Sequence, residues 1–305
     1  MKTCAIVDLL TNSKSFINEH YPKLKNIQVI GVDISEQRMH LCRNIVEKYH
    51  VNKTTCGDEI NKNVKSRISL YCADGKTFGT NLFDPSTLIF DSIVALEEEA
   101  QKGERKRMNK SARARHNRKL RKVVSDEMKS KSNHEGTDKD DVIITVPLFD
   151  HVLVDAECST DGAVRHMMHK LKKHDTACTQ NLKLTDTNNL LSLVKLQKDL
   201  INSGFRLLKP GGILVYSTCS LSTEQNEDVV SWLLQEYSMD AYLIPVSFAD
   251  EFKIDDNKDM IFEGSLGGTV RFHPNVVFQT EVDFNSRNAM FGGGFFLAKI
   301  GKRVT

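Results

Sequence analysis

Leu207–Ser220 reads LLKPGGILVYSTCS, and this stretch decides the architecture. Upstream, residues 188 to 208 carry apolar side chains at helical spacing (Leu190, Leu191, Leu193, Val194, Leu200, Ile201, Phe205, Leu208). That periodicity predicts a long amphipathic helix. Lys209-Pro210-Gly211-Gly212 should end it, with a glycine taking the left-handed cap and proline blocking continuation. The short run Ile213–Tyr216 reads as a strand. Cys219 follows in a tight turn, before a second helix over residues 224 to 236. Helix, strand and helix in succession point to an α/β layer structure.

The same grammar recurs on both sides. Ile27–Val32 (IQVIGV) is an apolar, β-branched run that ends at Asp33. Ser35 is placed to cap a helix whose apolar face is Met39, Leu41, Cys42, Ile45 and Val46. Ile68–Cys72 is a further strand, ending before Asp74, and Phe149–Val154 (FDHVLV) another, ending at Asp155. Thr3–His20 has helical apolar spacing, and Gly293–Ile300 alternates as a final edge or hairpin strand. The fold class is therefore α/β, doubly wound, with a mainly parallel sheet and an antiparallel C-terminal strand. Asp33, Asp74, Asp155 and Cys219 each lie just past a strand's carboxyl end, where open α/β sheets bind ligands. Four reactive side chains should meet on one edge of one sheet.

The 305-residue chain is 40% hydrophobic and 27% charged, a globular composition. No apolar run approaches the ~20 residues of a membrane span. Seven cysteines without a CxxC pair argue against a disulfide framework and against a zinc site, so no metal is expected. The pattern fails between residues 97 and 141, a basic insertion expected to be disordered within one domain spanning residues 1–305. Its segment 102–122 (KGERKRMNKSARARHNRKLRK) has Glu104 as its only acid. It suits RNA phosphates, a nuclear address or a plain solvated spacer.

An acid after a nucleotide-binding strand can accept both hydroxyls of a ribose, which suits Asp33. Asp74 could take the exocyclic amine of adenine. Cys219 and Cys158 are two thiols that each follow a strand of the same sheet and face one crevice. Thiolate addition to carbon 6 of cytosine makes carbon 5 nucleophilic enough to accept a methyl group. An acid such as Asp155 can assist at ring nitrogen 3. A helix N-terminus near Cys219 would lower its pKa. Two buried structural cysteines are the competing reading.

Several strings resemble the Sun (NSUN) family of RNA cytosine-5 methyltransferases. Val152–Ser159 (VLVDAECS) resembles its VLVDAPCS, and Leu207–Ser220 its LLKPGGxLVYSTCS. Residues 225–230 (QNEDVV) resemble its ENExVV, residues 292–299 its closing GFFxAxxxK, and residues 31–38 its second-strand cofactor motif. The resemblance implies S-adenosyl-L-methionine as cofactor and RNA, transfer or ribosomal, as partner. It implies Cys219 as nucleophile, Cys158 as the thiol that helps release product, and Asp155 at the target ring and cofactor pocket. Lys2, Asp33, Arg38 and Asp74 would bind cofactor, Lys2 matching the lysine of the family's APGxKT. The first strand and glycine-rich loop would then lie upstream of Met1. On that reading the chain is N-terminally truncated and should fold poorly or hold cofactor weakly. A catalytically impaired RNA-binding paralogue or fragment is the alternative. No membrane partner is expected and a monomer is. The compartment stays open between nucleus, nucleolus and an organelle.

Two positions depart from the family pattern. Glu157 stands where the family has proline, adding a charge that either raises the thiol pKa values or points outward. Ser159–Gly162 reads STDG where the family has SGxG, retaining the second glycine.

Overall fold

A computed structural model describes Ile6, residues 26–51, 65–79 and 85–95, Arg115, Arg118, Lys122, and residues 148–163, 187–246, 261–272 and 294–304. The expected helix Thr3–His20, apart from helical Ile6, lies outside the described residues, as do Lys2 and nearly all of the segment 97–141. The chain forms two compact units, Met1–Val146 and Pro147–Thr305.

In the first unit, β1 (Asn26–Asp33) runs parallel to β2 (Lys65–Cys72), pairing Asn26 with Lys65 through to Asp33 with Cys72. Between them in sequence lies α1 (Glu36–Val46), the helix a parallel crossover needs. Ser35 caps it as expected, its hydroxyl accepting the Arg38 N–H at 3.4 Å. Met39 and Val46 are buried against Ile68, Leu70 and Phe90. Leu41, assigned to that apolar face, is instead 61% exposed. A short strand β3 (Leu88–Asp91) returns antiparallel to β2. Asp91, 2% exposed, is neutralised by Arg67 Nε at 2.8 Å and accepts the Ser69 hydroxyl at 2.8 Å.

In the second unit, β4 (Phe149–Asp155) pairs in parallel with β5 (Leu208–Thr218). The helix between them in sequence, α2 (Thr187–Arg206), buries Gln197, Ile201 and Phe205 at helical spacing. A Cβ at Gly204 would stand 2.7 Å from Val154 Cγ2, so this glycine lets α2 lie close to β4. Leu191, read as part of the apolar face, is 63% exposed. The helix ends at Arg206, two residues before the expected Leu208. Those four residues belong to β5, in a bulge where the register steps from Phe149↔Leu208 to His151↔Ile213. Gly211 supplies the bulge's positive φ of 78°, which glycine adopts without steric penalty, rather than a helix cap.

Beyond β5 the unit is antiparallel. α3 (Glu227–Glu236) packs Val229, Val230 and Leu233 into the core, and β6 (Ala241–Ile244), β7 (Ile261–Glu263), β8 (Val270–Phe272) and β9 (Phe295–Lys302) follow. β9 pairs with β5 on one side and with β8 and β6 on the other. It is thus an interior strand, not the edge strand its alternation suggested. Phe296, Ala298 and Ile300, fully buried at every second position, fill the core between sheet and helices.

The α/β class is the one expected. Parallel pairing, however, is confined to β1–β2 and β4–β5 among the described residues, and the other five pairings are antiparallel. The turn that joins β7 directly to β8 permits no other orientation. The strand ends also form two sheets rather than one, because β1 and β4 are each the terminal strand of their sheet among these residues. No described helix is long and apolar enough to cross a membrane.

Candidate active site

Asp33 and Asp74 lie in the first unit, at the carboxyl ends of β1 and β2 as expected. Asp33 Oδ1 accepts the Ser35 N–H at 2.7 Å and the Arg38 guanidinium at 2.9 and 3.1 Å. None of these bonds falls on Oδ2, and the side chain is 29% exposed. One carboxylate oxygen is thus left for a hydroxyl. Arg38, 63% exposed, acts on Asp33 rather than on open space. Asp74 Oδ1 accepts the Lys76 N–H at 3.0 Å, and Oδ2 faces Lys76 Nζ at 3.4 Å.

Asp155, Cys158 and Cys219 come together in the second unit. The parallel pairing of β4 and β5 sets Asp155 opposite Ser217, whose hydroxyl donates to Asp155 Oδ1 at 3.3 Å. Both strands then turn over the same edge. The Ala156 N–H donates to Ser217 O at 3.1 Å, and the two sulfurs reach 3.1 Å from each other. Both cysteines are free thiols; Cys158 is buried and Cys219 half-buried. The Cys219 N–H also donates to Cys158 Sγ, at 3.3 Å.

Sulfurs this close share their protons as a pair. The Cys219 thiol donates to Cys158, and the backbone N–H groups of Thr160 and Cys219 add to it, so Cys158 is lowered from 9.0 to about 7 despite burial and the nearby Asp161. Cys219 is pushed far above the usual thiol range. It keeps the shared proton, it is partly buried, and ionising it would place a second anion beside Cys158 and near Asp155. The pair therefore carries one negative charge near neutral pH, favoured on the buried sulfur, with its proton on the more exposed one.

The helix dipole expected beside Cys219 is not the cause. α3 begins only at Glu227, and a helix terminus acts over about one turn. Glu157, the residue in the family's proline position, is exposed, and the acid that acts on Cys158 is Asp161 instead.

The loop holding Cys158 takes an unusual path. Thr160 has φ of 59°, the only positive value of a non-glycine residue among the described residues. A β-branched residue there is strained. It occupies the first glycine position of the family's SGxG, and the structure retains the conformation that glycine would take freely. Its neighbours fix it. The Gly162 N–H donates to Cys219 O at 3.0 Å, the Gly294 N–H to Gly162 O at 2.7 Å, and the Leu221 N–H to Asp161 Oδ2 at 3.1 Å. Ser159 Oγ bonds Asp161 and lies 3.0 Å from Ser220 Oγ. Sequence reading did not single out Asp161, Gln197 or Gln225 for this site. The one signal was an unusual run of polar residues, QNE, where α3 begins.

The sequence profile of the 16S rRNA methyltransferase RsmB/F family matches residues 90–282, more than half of the chain. The chain belongs to this family, whose members are S-adenosylmethionine-dependent RNA methyltransferases of the Sun type. It is 41% identical over 98 residues to ribosomal RNA small subunit methyltransferase F of Klebsiella pneumoniae (strain 342), covering 32% of this chain and 18% of the relative. The protein of the same name in Escherichia coli O9:H4 (strain HS) is 37% identical over 124 residues, 40% of this chain and 23% of the relative. The matched stretch thus spans about a fifth of the length of these relatives. Among solved structures, NSun6 from Pyrococcus horikoshii with SFG aligns with 91% of this chain and 42% of its own, at a TM-score of 0.43 and 16% identity.

Proposed function

We propose that this chain carries the reacting centre of an enzyme that methylates carbon 5 of cytosine in RNA through a covalent cysteine adduct. The observation that carries this reading is the pair of sulfurs 3.1 Å apart at the carboxyl edge of β4 and β5, with Asp155 on the same edge. Amine methylation needs no covalent nucleophile, whereas the cytosine ring needs one. The names of the family and of its relatives favour ribosomal RNA over transfer RNA as the substrate class.

S-adenosylmethionine supplies the electrophilic methyl group. Its ribose would be held by Asp33, oriented by Arg38, and its adenine amine by Asp74. The free oxygen of Asp33 fits that role.

The exposure of Cys219 and the hydrogen bond between the sulfurs support the following roles. Cys219, the more exposed sulfur, attacks carbon 6 of the ring. Its proton passes across the 3.1 Å hydrogen bond to the Cys158 thiolate. Asp155 engages the ring at nitrogen 3. After methyl transfer the carbon 5 proton passes to solvent, its C–H electron pair forms the carbon 5–carbon 6 double bond, and the carbon–sulfur bond breaks with its electrons going to the Cys219 sulfur. Cys158 then returns its proton to the departing Cys219 sulfur. The buried cysteine is thus the proton store for both addition and release.

The test uses the full-length protein incubated with RNA and S-adenosylmethionine. Cys158→Ala should accumulate a protein–RNA adduct that survives denaturation, and Cys158→Ala/Cys219→Ala should form none. An adduct that persists without Cys219 would overturn the proposal.

For the basic segment we infer contact with RNA phosphates. Arg115, Arg118 and Lys122 are each helical and exposed, at a spacing that places helical residues on one face.

A further inference from the structure

Gln225, Asn226 and Glu227 are three consecutive polar residues that are at most 2% exposed. Buried polar groups are costly unless each finds partners, so such a run is not ordinary core sequence. Its side-chain partners lie in the loops of the thiol site and on the elements around them, Gln197 on α2, Thr218 on β5, Ser265 in the turn before β8 and Arg271 on β8.

Gln225 grips the Cys158 loop. Its Oε1 accepts the Ser159 N–H at 3.0 Å, and its Nε2 donates to Ser159 Oγ at 2.9 Å. Gln197 Nε2 donates to Gln225 Oε1 at 3.2 Å and to Glu157 O at 2.8 Å. The residues on both sides of Cys158 are thereby tied to one amide pair. Asn226 does the same for Cys219. Its Oδ1 accepts the Thr218 hydroxyl at 2.5 Å, and its Nδ2 donates to Ser220 O at 2.9 Å. Glu227 accepts Arg271 Nε at 2.6 Å and the Ser265 N–H at 3.1 Å, while Arg271 Nη1 donates to Leu221 O at 2.8 Å. The Tyr216 hydroxyl donates to Gln225 O at 2.7 Å and fixes the run to β5.

We propose that Gln225 and Asn226 are the positioning residues of the thiol pair: Asn226 holds both sequence neighbours of Cys219, and Gln225 holds Ser159 while Gln197, bonded to it, holds Glu157, neither Gln225 nor Asn226 touching a sulfur. Glu227 anchors the run through Arg271. The assignment rests on the reading that the pair is the reacting centre and adds the elements that hold it together. Gln225 acts through Ser159, which leads into the left-handed Thr160 whose N–H faces Cys158. Loosening Ser159 would let Thr160 relax, withdraw that N–H and separate the sulfurs.

The test measures iodoacetamide alkylation of each cysteine against pH, peptide by peptide, in the full chain without RNA or cofactor. The variants are Gln225→Met, which preserves volume, and Asn226→Leu. Melting and near-ultraviolet circular dichroism report folding. Gln225→Met should move the Cys158 alkylation profile upward by about one pH unit, a roughly fivefold slower reaction at pH 7. In a second measurement, with RNA and S-adenosylmethionine present and in the Cys158→Ala background, Asn226→Leu should lower adduct formation by Cys219 by at least about tenfold with RNA binding retained. Gln225→Glu, which still accepts the Ser159 N–H, should recover part of the lost reactivity. Folded variants with an unchanged alkylation profile and unchanged adduct yield would overturn the proposal. If Gln225→Met does not fold, Ser159→Ala removes the outer end of the same link without emptying the core, and the same outcomes decide. Should the thiols prove not to be the reacting centre, Cys158→Ala would accumulate no adduct, yet the alkylation profile of the Gln225 variants would still shift.

Discussion

The sulfurs of Cys158 and Cys219 lie 3.1 Å apart, and the lowering of Cys158 makes Cys219 the favoured donor of the hydrogen bond between them, so the two cysteines titrate as one unit. Removing the donor should undo the shift. In Cys219→Ala, Cys158 should return from about 7 toward the ordinary thiol range, and its alkylation at pH 7 should slow by about tenfold. Stability should follow the same proton count. Cys158 is lowered in the folded state, so between about pH 7 and 9 the unfolded chain holds a proton that the folded pair has released, and stability rises with pH. Cys219 is raised, so above 9 the folded pair keeps a proton the unfolded chain has lost, and stability falls. Urea denaturation from pH 6 to 10 should give a maximum near 9, absent in Cys158→Ala/Cys219→Ala.

The strained turn makes a prediction of opposite sign at two neighbouring positions. Thr160→Gly relieves a left-handed conformation worth roughly 1–2 kcal/mol but adds chain entropy of about 0.5–1 kcal/mol, for a net gain of up to about 1 kcal/mol. Gly162→Ala would put a Cβ 2.7 Å from Cys219 O and 2.8 Å from Gly294 O, all backbone atoms with little room to yield. It should cost about 1–3 kcal/mol and disturb Cys219 reactivity. Equilibrium unfolding of the two variants checks both signs.

Glu227 is 2% exposed, and its charge depends on Arg271. Burial opposes ionisation, but the guanidinium outweighs it and holds the carboxyl below its usual range. Arg271→Leu should cost about 3–5 kcal/mol at pH 7, because the charge is then buried alone. The deficit should shrink toward pH 4, where protonation relieves the orphaned carboxylate, and Arg271→Leu/Glu227→Gln should recover most of it. Denaturation midpoints at the two pH values decide.

If the basic segment contacts RNA, the salt dependence of binding will report it. Replacing Arg115, Arg118 and Lys122 with alanine should reduce the slope of log affinity against log salt by about 2, at roughly 0.7 per single-strand phosphate contact. An unchanged slope assigns the segment another role.

Much of the site was readable along the chain because its parts sit where local pattern is strongest. IQVIGVD, FDHVLVD and GILVYST are apolar, β-branched runs that end at or just before the residues singled out, and parallel pairing brings the ends of FDHVLVD and GILVYST to one edge. The positions misread share one cause, since tertiary contacts overrode local preference. Leu41 and Leu191 fit helical periodicity but lie on outward faces. Pro210-Gly211-Gly212 carries a helix-stop signal yet serves a bulge, because the helix had already ended. The chain from Cys219 to Glu227 looked like a tight turn and proved to be a loop whose side chains brace both cysteines. Hydrogen bonds between residues 159 and 225 have no periodicity to betray them. Only the cost of burying Gln225 and Asn226 does, and burial is a property of the folded molecule.

The interior place of β9 has a consequence for biosynthesis. β5, which delivers Cys219, meets β6 and β8 only through this strand, the last in chain order. The residue just ahead of it, Gly294, clasps the loop beside Cys158. On a ribosome making the chain from its N-terminus, the sheet stays divided until residue 302 has left the exit tunnel. The loop beside Cys158 thus lacks its Gly294 clasp until synthesis of this region is done, and the setting of the two sulfurs is completed late.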